Sequence, residues 1–396
     1  VGVFSVAAPC FKVVDVDPLL RTSWRIQASA ALYVAALCPV AWVLAGDEGR
    51  AAALAPGVGW RVFVCAMLFL LSFMAWNYCI STTSFVHATV LAQLVPWFVV
   101  SGEGALWLAT RHSARVRRAV EAVGGSVPAE PPSAGEVAGS VAAVVGLAIA
   151  SALGSSHAED AAASAQCASC GSDGGGEAHN SLAGTPVTLK GDMAALGNAC
   201  LYAMYMVWSK WQLSEVPPLL VMGAAHVFMV PITLLTFPLL SANASFAGDG
   251  KSLGLLQWPS SDFLFPCLAT IAVAAAVGHA CVIGAVQRLP PIVVSVALMV
   301  LPLPQALVGY EIGVASIPGV YSVVGCGVTL VGVGLVIVSS DRRRKRAEAG
   351  AARRCRSGLQ LVDLDASVAA EGGGGRARGA GAWKGGGASA LAAGGG

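Results

Sequence analysis

Residues Trp76–Pro96, WNYCISTTSFVHATVLAQLVP, and Gly278–Pro302, GHACVIGAVQRLPPIVVSVALMVLP, follow one plan. Each ends an apolar helix, breaks briefly at polar residues (Thr82–Ser84 or Arg288–Pro291), and resumes as a second apolar helix carrying a proline. Such breaks survive in a bilayer when neighbouring helices or a cavity satisfy the freed backbone groups. Working outward, apolar stretches recur at roughly 1–14, 21–45, 59–80, 83–107, 136–153, 192–211, 218–240, 263–286, 290–311 and 317–339. Most have the length of about 20 residues that matches a hydrocarbon core about 30 Å thick. Five lie on each side of a polar insert at 154–190, so the two halves read as weak copies. Repeated halves of this kind are a recurring build of secondary transporters.

Composition points the same way. Of 396 residues, 56% are hydrophobic and only 12% are charged, against about 25% charged in soluble domains. Mean hydropathy is +0.70. So much apolar surface cannot be hidden in one water-soluble core, which leaves an integral membrane protein. The formal net charge of +2 gives no reason to expect nucleic acid. Seven of the 11 cysteines (Cys38, Cys65, Cys79, Cys200, Cys267, Cys281, Cys326) sit inside apolar runs, where they read as small hydrophobes.

Orientation follows from the loop cations. With the first span running outward, Arg50, Arg61, Arg111, Arg115, Arg117, Arg118, Lys210, Arg288 and Arg342–Arg346 fall in cytosolic connections. That side then has 13 cations, against five opposite (Lys12, Arg21, Arg25, Lys190, Lys251). The bias favours an even number of spans with the C-terminus cytosolic. The insert at 154–190 and the Gly/Ala-rich tail from 340 read as disordered, the first non-cytosolic and the second cytosolic. Plasma membrane and endomembrane are not distinguished.

The order of these features resembles the EamA-like branch of the drug/metabolite transporter superfamily. Thr83-Ser84, His87 followed nine residues on by Pro96, and Gly191-Asp192 carry the likeness. So do Gly278-His279, Pro291, Ser295, Pro302 and Pro318-Gly319 ahead of a Gly-rich last helix. The likeness spans about 1–153 and 191–339. It implies an all-α fold of ten transmembrane helices in two inverted five-helix repeats with both termini cytosolic, and Val1–Val14 as the end of a truncated first helix. It also implies a central cavity lined by the first, third, fourth, sixth, eighth and ninth helices. Leu301 and Ile283 depart from the pattern, standing where many relatives have Glu and Asn.

A polar side chain within a membrane span faces protein or water, so such residues are the candidate site. Asn198, Tyr202, Tyr205 and Ser209 fall at i, i+4, i+7 and i+11, one stripe of a helix. They either line a translocation cavity or join helices by hydrogen bonds. His87 and His279 occupy comparable places in the halves and titrate near neutral pH, so they offer proton coupling; His226 is a weaker candidate. Asn77, Trp76, Gln93, Ser295 and Gln305 are further candidates, and Glu103 and Glu311 lie near span ends. The substrate-binding set is therefore Asn77, His87, Asn198, Tyr202, Tyr205, His279, Ser295 and Gln305. Small residues (Ala272, Ala276, Ala280 and Gly284; Gly325/Gly332; Gly327/Gly334) mark close helix contacts.

His157, Cys167, Cys170 and His179 sit in the insert without the paired, ordered frame of a zinc site. No phosphate-binding Gly loop or nucleophile elbow appears in the spans. The expected protein is a non-enzymatic secondary transporter of a small polar organic metabolite, needing no cofactor or metal. Its expected partners are the small-molecule substrate, protons as one coupling option, the lipid bilayer, and a second copy in a homodimer; nucleic acid is not among them. The sparse intramembrane Lys and Arg argue against polyphosphorylated cargo. A nucleotide-sugar or sugar-phosphate exchanger, or a scaffold that has lost transport, is the alternative.

Overall fold

A computed structural model describes residues 17–83, 88, 91–122, 130–149, 188–240, 254–256, 264–301, 304, 307–308, 311 and 320–372. Among these the protein is all-α, and no strand occurs. Four of the described helices are long and apolar enough to cross a membrane: Pro18–Leu44, Val58–Thr82, Pro218–Leu239 and Val323–Arg346. Residues 1–341 form one compact unit and 342–396 a second.

Helix α1 (Pro18–Leu44) starts earlier than its hydropathy suggests. The Asp17 carboxylate caps it, accepting from the amides of Leu19 (2.8 Å) and Leu20 (3.4 Å), and Pro18 fills the first turn where no N–H is needed. Arg21 and Arg25, counted above among the loop cations, are therefore inside the helix. Tyr33–Leu37 forms a π turn directly before Pro39. A proline ring in a regular helix collides with the carbonyl four residues back, here that of Ala35, and the wider turn relieves this. At the far end Arg50, from helix α2 (Gly46–Leu54), donates to the last carbonyls of α1, Trp42 (2.9 Å) and Val43 (3.3 Å).

Helix α3 (Val58–Thr82) begins after Gly57, whose φ of +81° suits only glycine. Helix α4 (Val95–His112) follows a turn at Gln93–Leu94. Pro96 is thus in a first turn, where its missing N–H costs nothing, and does not interrupt a span running 83–107 as expected. Helix α5 (Ala114–Ala122) is short and Arg-rich; its Arg117 donates to the Thr110 carbonyl near the end of α4 (3.3 Å). Helix α6 (Ala134–Ile149) opens on a capping box: Ser133 N–H donates to Glu136 Oε2 (2.7 Å), and Glu136 N–H donates back to Ser133 Oγ (3.2 Å).

Helix α7 (Leu189–Gln212) is capped by Thr188, whose Oγ1 accepts from Gly191 N–H at 3.1 Å. Helices α8 (Pro218–Leu240) and α9 (Leu264–Arg288) follow. Helix α10 (Pro291–Leu298) ends in a turn at Met299–Leu301, so the expected span 290–311 is broken ahead of Pro302. Helix α11 (Val320–Gly372) continues into the stretch read as a low-complexity tail. In the second unit, residues 342–372 of this helix include Arg344 Nε at 3.6 Å from Glu348.

Helices α3 and α7 run antiparallel in register. Trp208 Nε1 donates to the Arg61 carbonyl (2.9 Å), Cys65 Sγ lies 3.4 Å from Ser209 Oγ, and Ser72 Oγ donates to Asn198 Oδ1 (2.7 Å). At the other end Thr83 Oγ1 donates to Asp192 Oδ1 (2.9 Å). Gly191 is required there: a Cβ on it would lie 2.6 Å from Thr83 Cβ. The motif pair Thr83 and Gly191-Asp192 is therefore one junction. Around this seam, α1 packs on α3, α8 and α9, while α8 packs on α1, α3 and α9; α4 packs on α10. Lys210 at the end of α7 donates to the Gln287 carbonyl (2.6 Å), and Gln287 donates back to the carbonyls of Leu213 and Val216 (2.7 and 2.8 Å).

Helices α6 and α11 meet through glycine. A Cβ on Gly332 would lie 2.6 Å from the Gly139 carbonyl oxygen, and one on Gly146 would lie 2.6 Å from that of Gly325. Gly327 and Gly334, read as a second contact pair, face open space. Ala272, Ala276 and Ala280 are buried along α9. Replacing Gly332 by Val is expected to destabilise the protein by about 1–3 kcal/mol, the usual range for overpacking. Gly334→Ala should change stability by no more than about 0.5 kcal/mol. Thermal unfolding of both variants in one detergent checks the difference.

Candidate functional site

One face of α3 carries Phe69, Phe73 and Asn77, spaced one turn apart. Phe69 is the centre of a ring cluster. Its centroid is 4.5 Å from His279 (α9, edge-on), 5.2 Å from Tyr205 (α7) and 6.0 Å from His226 (α8). Tyr202 on α7 is 5.3 Å from Tyr205 and 6.5 Å from His279, and Tyr33 at the π turn of α1 is 5.0 Å from His226. Five helices thus contribute to one polar and aromatic centre.

Arg25 enters this centre from α1. It is 5% exposed, its guanidinium carbon stands 4.0 Å over the Phe73 ring, and Nη2 lies 3.4 Å from His279 Nε2. A guanidinium has only hydrogens to offer, so His279 Nε2 is the acceptor and its imidazole carries the proton on Nδ1. His226 has the same tautomer for a different reason: its Nδ1–H donates to the Met222 carbonyl at 2.7 Å. Tyr33 O–H donates to the Ala276 carbonyl (2.5 Å), where the small residue leaves the backbone open to approach. Tyr205 O–H is taken up by Met222 Sδ (3.3 Å).

The expected polar stripe on α7 divides. Asn198, Tyr205 and Ser209 are buried and engaged, Asn198 with Ser72, Tyr205 with Met222 and Ser209 with the Tyr205 carbonyl (2.7 Å). Tyr202 alone keeps part of its surface exposed while lying among Arg25, His279 and Tyr205. Ser295 is buried and donates to Ile292 O within its own helix (3.0 Å). Gln93 is half-buried in the turn before α4, Glu103 is half-buried on α4, and Glu311 is exposed. Ile283 lies in the core and Leu301 is buried. His87, Gln305, the His/Cys set of the insert and Val1–Val14 lie outside the described residues.

Asn77 is buried, and its Nδ2 donates to the Phe73 carbonyl (3.0 Å). Because a carbonyl can only accept, the amide oxygen is the atom that points away. That Oδ1 is buried and has no hydrogen-bond partner among the described residues. Arg25, Phe69, Phe73 and Tyr33 were not among the expected site residues, and His226 ranked low. The two phenylalanines give no polar signal to a sequence reading. For Arg25 the signal existed: Asp17-Pro18 is a cap followed by a first-turn proline, which places Arg25 about 12 Å into the helix. The counting of Arg25 among the loop cations is corrected accordingly.

An apolar cleft of about 500 Å³ opens elsewhere, among Val34, Trp42, Leu54, Val62, Leu220 and Val227. Its lining includes none of Arg25, Tyr202 or His279.

Comparison with known proteins finds no matching family model and no matching curated protein. Among solved structures, a crystal structure of a protein superposes with a TM-score of 0.55 at 16% identity, covering 86% of this chain and 94% of its own. At that identity the likeness concerns the fold alone.

An unpaired buried oxygen costs about 1–3 kcal/mol, and an apolar side chain of similar size removes the cost. Asn77→Leu is therefore expected to melt at or above the wild-type temperature, whereas Ser72→Ala, which strips the Asn198 amide oxygen of its donor, should melt below it. Melting curves of both variants in one detergent check the two outcomes.

Proposed function

We propose that the protein is a secondary transporter that moves a small polar organic metabolite by alternating access. The observation that carries this reading is the centre around Phe69, Arg25 and His279. It is assembled from α1 and α3 of the first half and α7, α8 and α9 of the second. Ionisable groups inside a membrane bundle mark substrate or ion pathways by default, and transporter sites lie where repeats meet. The packing pattern supports the repeats. Exchanging α1 with α8, α3 with α9, and α4 with α10 turns the α1–α9 contact into α8–α3, and α1–α3 into α8–α9. It leaves α1–α8 and α4–α10 unchanged. This symmetry fits ten helices in two inverted quintets of EamA-like type, with both termini in the cytosol. The contact of Lys210 with Gln287, next to Arg288, fits the assignment of those cations to one side.

The packed positions of Asn198, Tyr205 and Ser209 favour a second reading, a membrane scaffold whose polar stripe only holds helices together. A metabolite-library uptake screen in proteoliposomes at two pH values separates the two. Saturable, protein-dependent uptake with counterflow is expected; absence of both for every solute supports the scaffold. In the same assay His279→Gln is expected to flatten the pH dependence of uptake, and an unchanged rate and profile would remove His279 from proton coupling. Protease or tag mapping should find Arg111–Arg118 and Arg342–Arg346 on one face of the bilayer; opposite faces would overturn the ten-span topology.

A further inference from the structure

We infer that the protein holds a membrane phospholipid, with its acyl chain in the apolar cleft between α1, α3 and α8 and its phosphate at Arg61. The cleft has a volume of about 500 Å³, and its walls belong to three of the helices long and apolar enough to cross a membrane. Val34, Leu54 and Val227 of its lining remain exposed, so it opens outward rather than toward the ring cluster. Lipid tails are the solvent for such walls, and a groove in them forfeits dispersion contacts unless hydrocarbon fills it. Along α1 the cleft runs from Trp42 to Val34, about 12 Å. Its mean cross-section is therefore about 40 Å², or roughly 7 Å across. A helix with its side chains is about 10–12 Å wide and does not enter. A flexible hydrocarbon chain does.

The mouth, where Trp42, Leu54 and Val58 meet, has the chemistry of a head-group layer. Trp42 and the neighbouring Trp60 are exposed, and tryptophan settles at the boundary between lipid tails and water. The guanidinium carbon of Arg50 lies 5.9 Å from the centroid of the Trp42 ring. Its donors are in use, on the last carbonyls of α1, and it faces the exposed Asp47 at 3.5 Å. Arg61 differs. It follows Val58 by one turn and directly precedes Val62, both in the cleft wall, and it is exposed. Its carbonyl accepts from the Trp208 indole, which fixes its backbone, while its guanidinium has no hydrogen bond or ion pair among the described residues. Side chains on a helix lean toward its N-terminus, which for α3 is the mouth. A guanidinium fork matches two phosphate oxygens. A cation at the mouth and hydrocarbon walls behind it repeat the order of groups along a phospholipid; a diacylglycerol satisfies only the walls.

The inference needs a membrane-embedded bundle and is independent of whether any solute is transported. The full chain, purified in detergent and stripped of lipid, is titrated in native mass spectrometry with dioleoylphosphatidylglycerol and with dioleoylglycerol, which has the same tails and no phosphate. The wild type should bind the phospholipid at least about fivefold more tightly, the contribution of one basic contact. Arg61→Gln should bring the two probes level. Ala224→Phe, which places a ring in the cleft from a half-buried position of its lining, should weaken both by about tenfold. A phosphatidylglycerol with a diazirine midway along one acyl chain should label residues 34–42 and 220–227 in preference to the exposed Val323, Val331 and Val338 of α11. Equal binding of the two probes by the wild type, a preference that survives Arg61→Gln, full binding by a folded Ala224→Phe, or labelling spread evenly over exposed apolar faces would overturn the inference. So would a lipid-free dimer whose contact covers Trp42 and Val227. If Ala224→Phe does not fold, labelling of the wild type decides the location.

Discussion

In a bilayer, apolar side chains gain nothing by leaving lipid for one another, so helices are held by close packing and by the few polar contacts that have no alternative partner. The antiparallel seam between α3 and α7 is where this protein concentrates such contacts. From Trp208–Arg61 at one end, through Ser209–Cys65 and Asn198–Ser72, to Asp192–Thr83 at the other, polar pairs cross at intervals of up to about three turns. The seam fixes the rotation of both helices. With α3 and α7 locked, Phe69 and Phe73 are turned toward the interior, and Tyr202 and Tyr205 with them. The ring cluster is thus a consequence of seam register.

The same constraint explains the use of glycine and small residues. Where backbones must touch, as at Gly139–Gly332 and Gly146–Gly325, no side chain fits, and the chain has none; at Gly191 the missing side chain makes room for that of Thr83. Where a tyrosine must reach a carbonyl, as Tyr33 reaches Ala276, the receiving helix is lined with alanine. Electrostatic closure of helix ends follows a similar economy: Arg50, Arg117 and Lys210 each donate to carbonyls at helix termini.

Much of this was legible in the sequence, and the rest was hidden for definable reasons. Hydropathy located most helices within a few residues because lipid imposes a length. The contacts of Gly325 and Gly332 with α6 were legible because small residues at helical spacing have few other uses, whereas Gly327 and Gly334 carry the same spacing and meet nothing within 4 Å among the described residues. Pro96 misled: a proline inside an apolar run reads as an interrupted span, but a turn at Gln93–Leu94 makes it a helix start. Arg25 misled in the opposite sense: it fell inside the expected span 21–45 yet was counted with the flanking cations, and the Asp17 cap puts it two turns into the helix. Phe69 was illegible, since nothing separates a phenylalanine facing lipid from one at the heart of a site until the helices are placed.

The π turn at Tyr33–Leu37 amounts to one residue more than a regular helix would use. Each residue of an α-helix turns the chain by about 100°. The azimuth of Arg25 relative to the C-terminal half of α1 is therefore set by that surplus residue. A lineage that lost one residue between Tyr33 and Leu37 would keep its hydropathy, its cap at Asp17 and its anchor at Arg50. It would nevertheless swing the guanidinium roughly a quarter-turn away from Phe73, so single-residue indels at this bend would rearrange the ring cluster more than most point substitutions along the same helix.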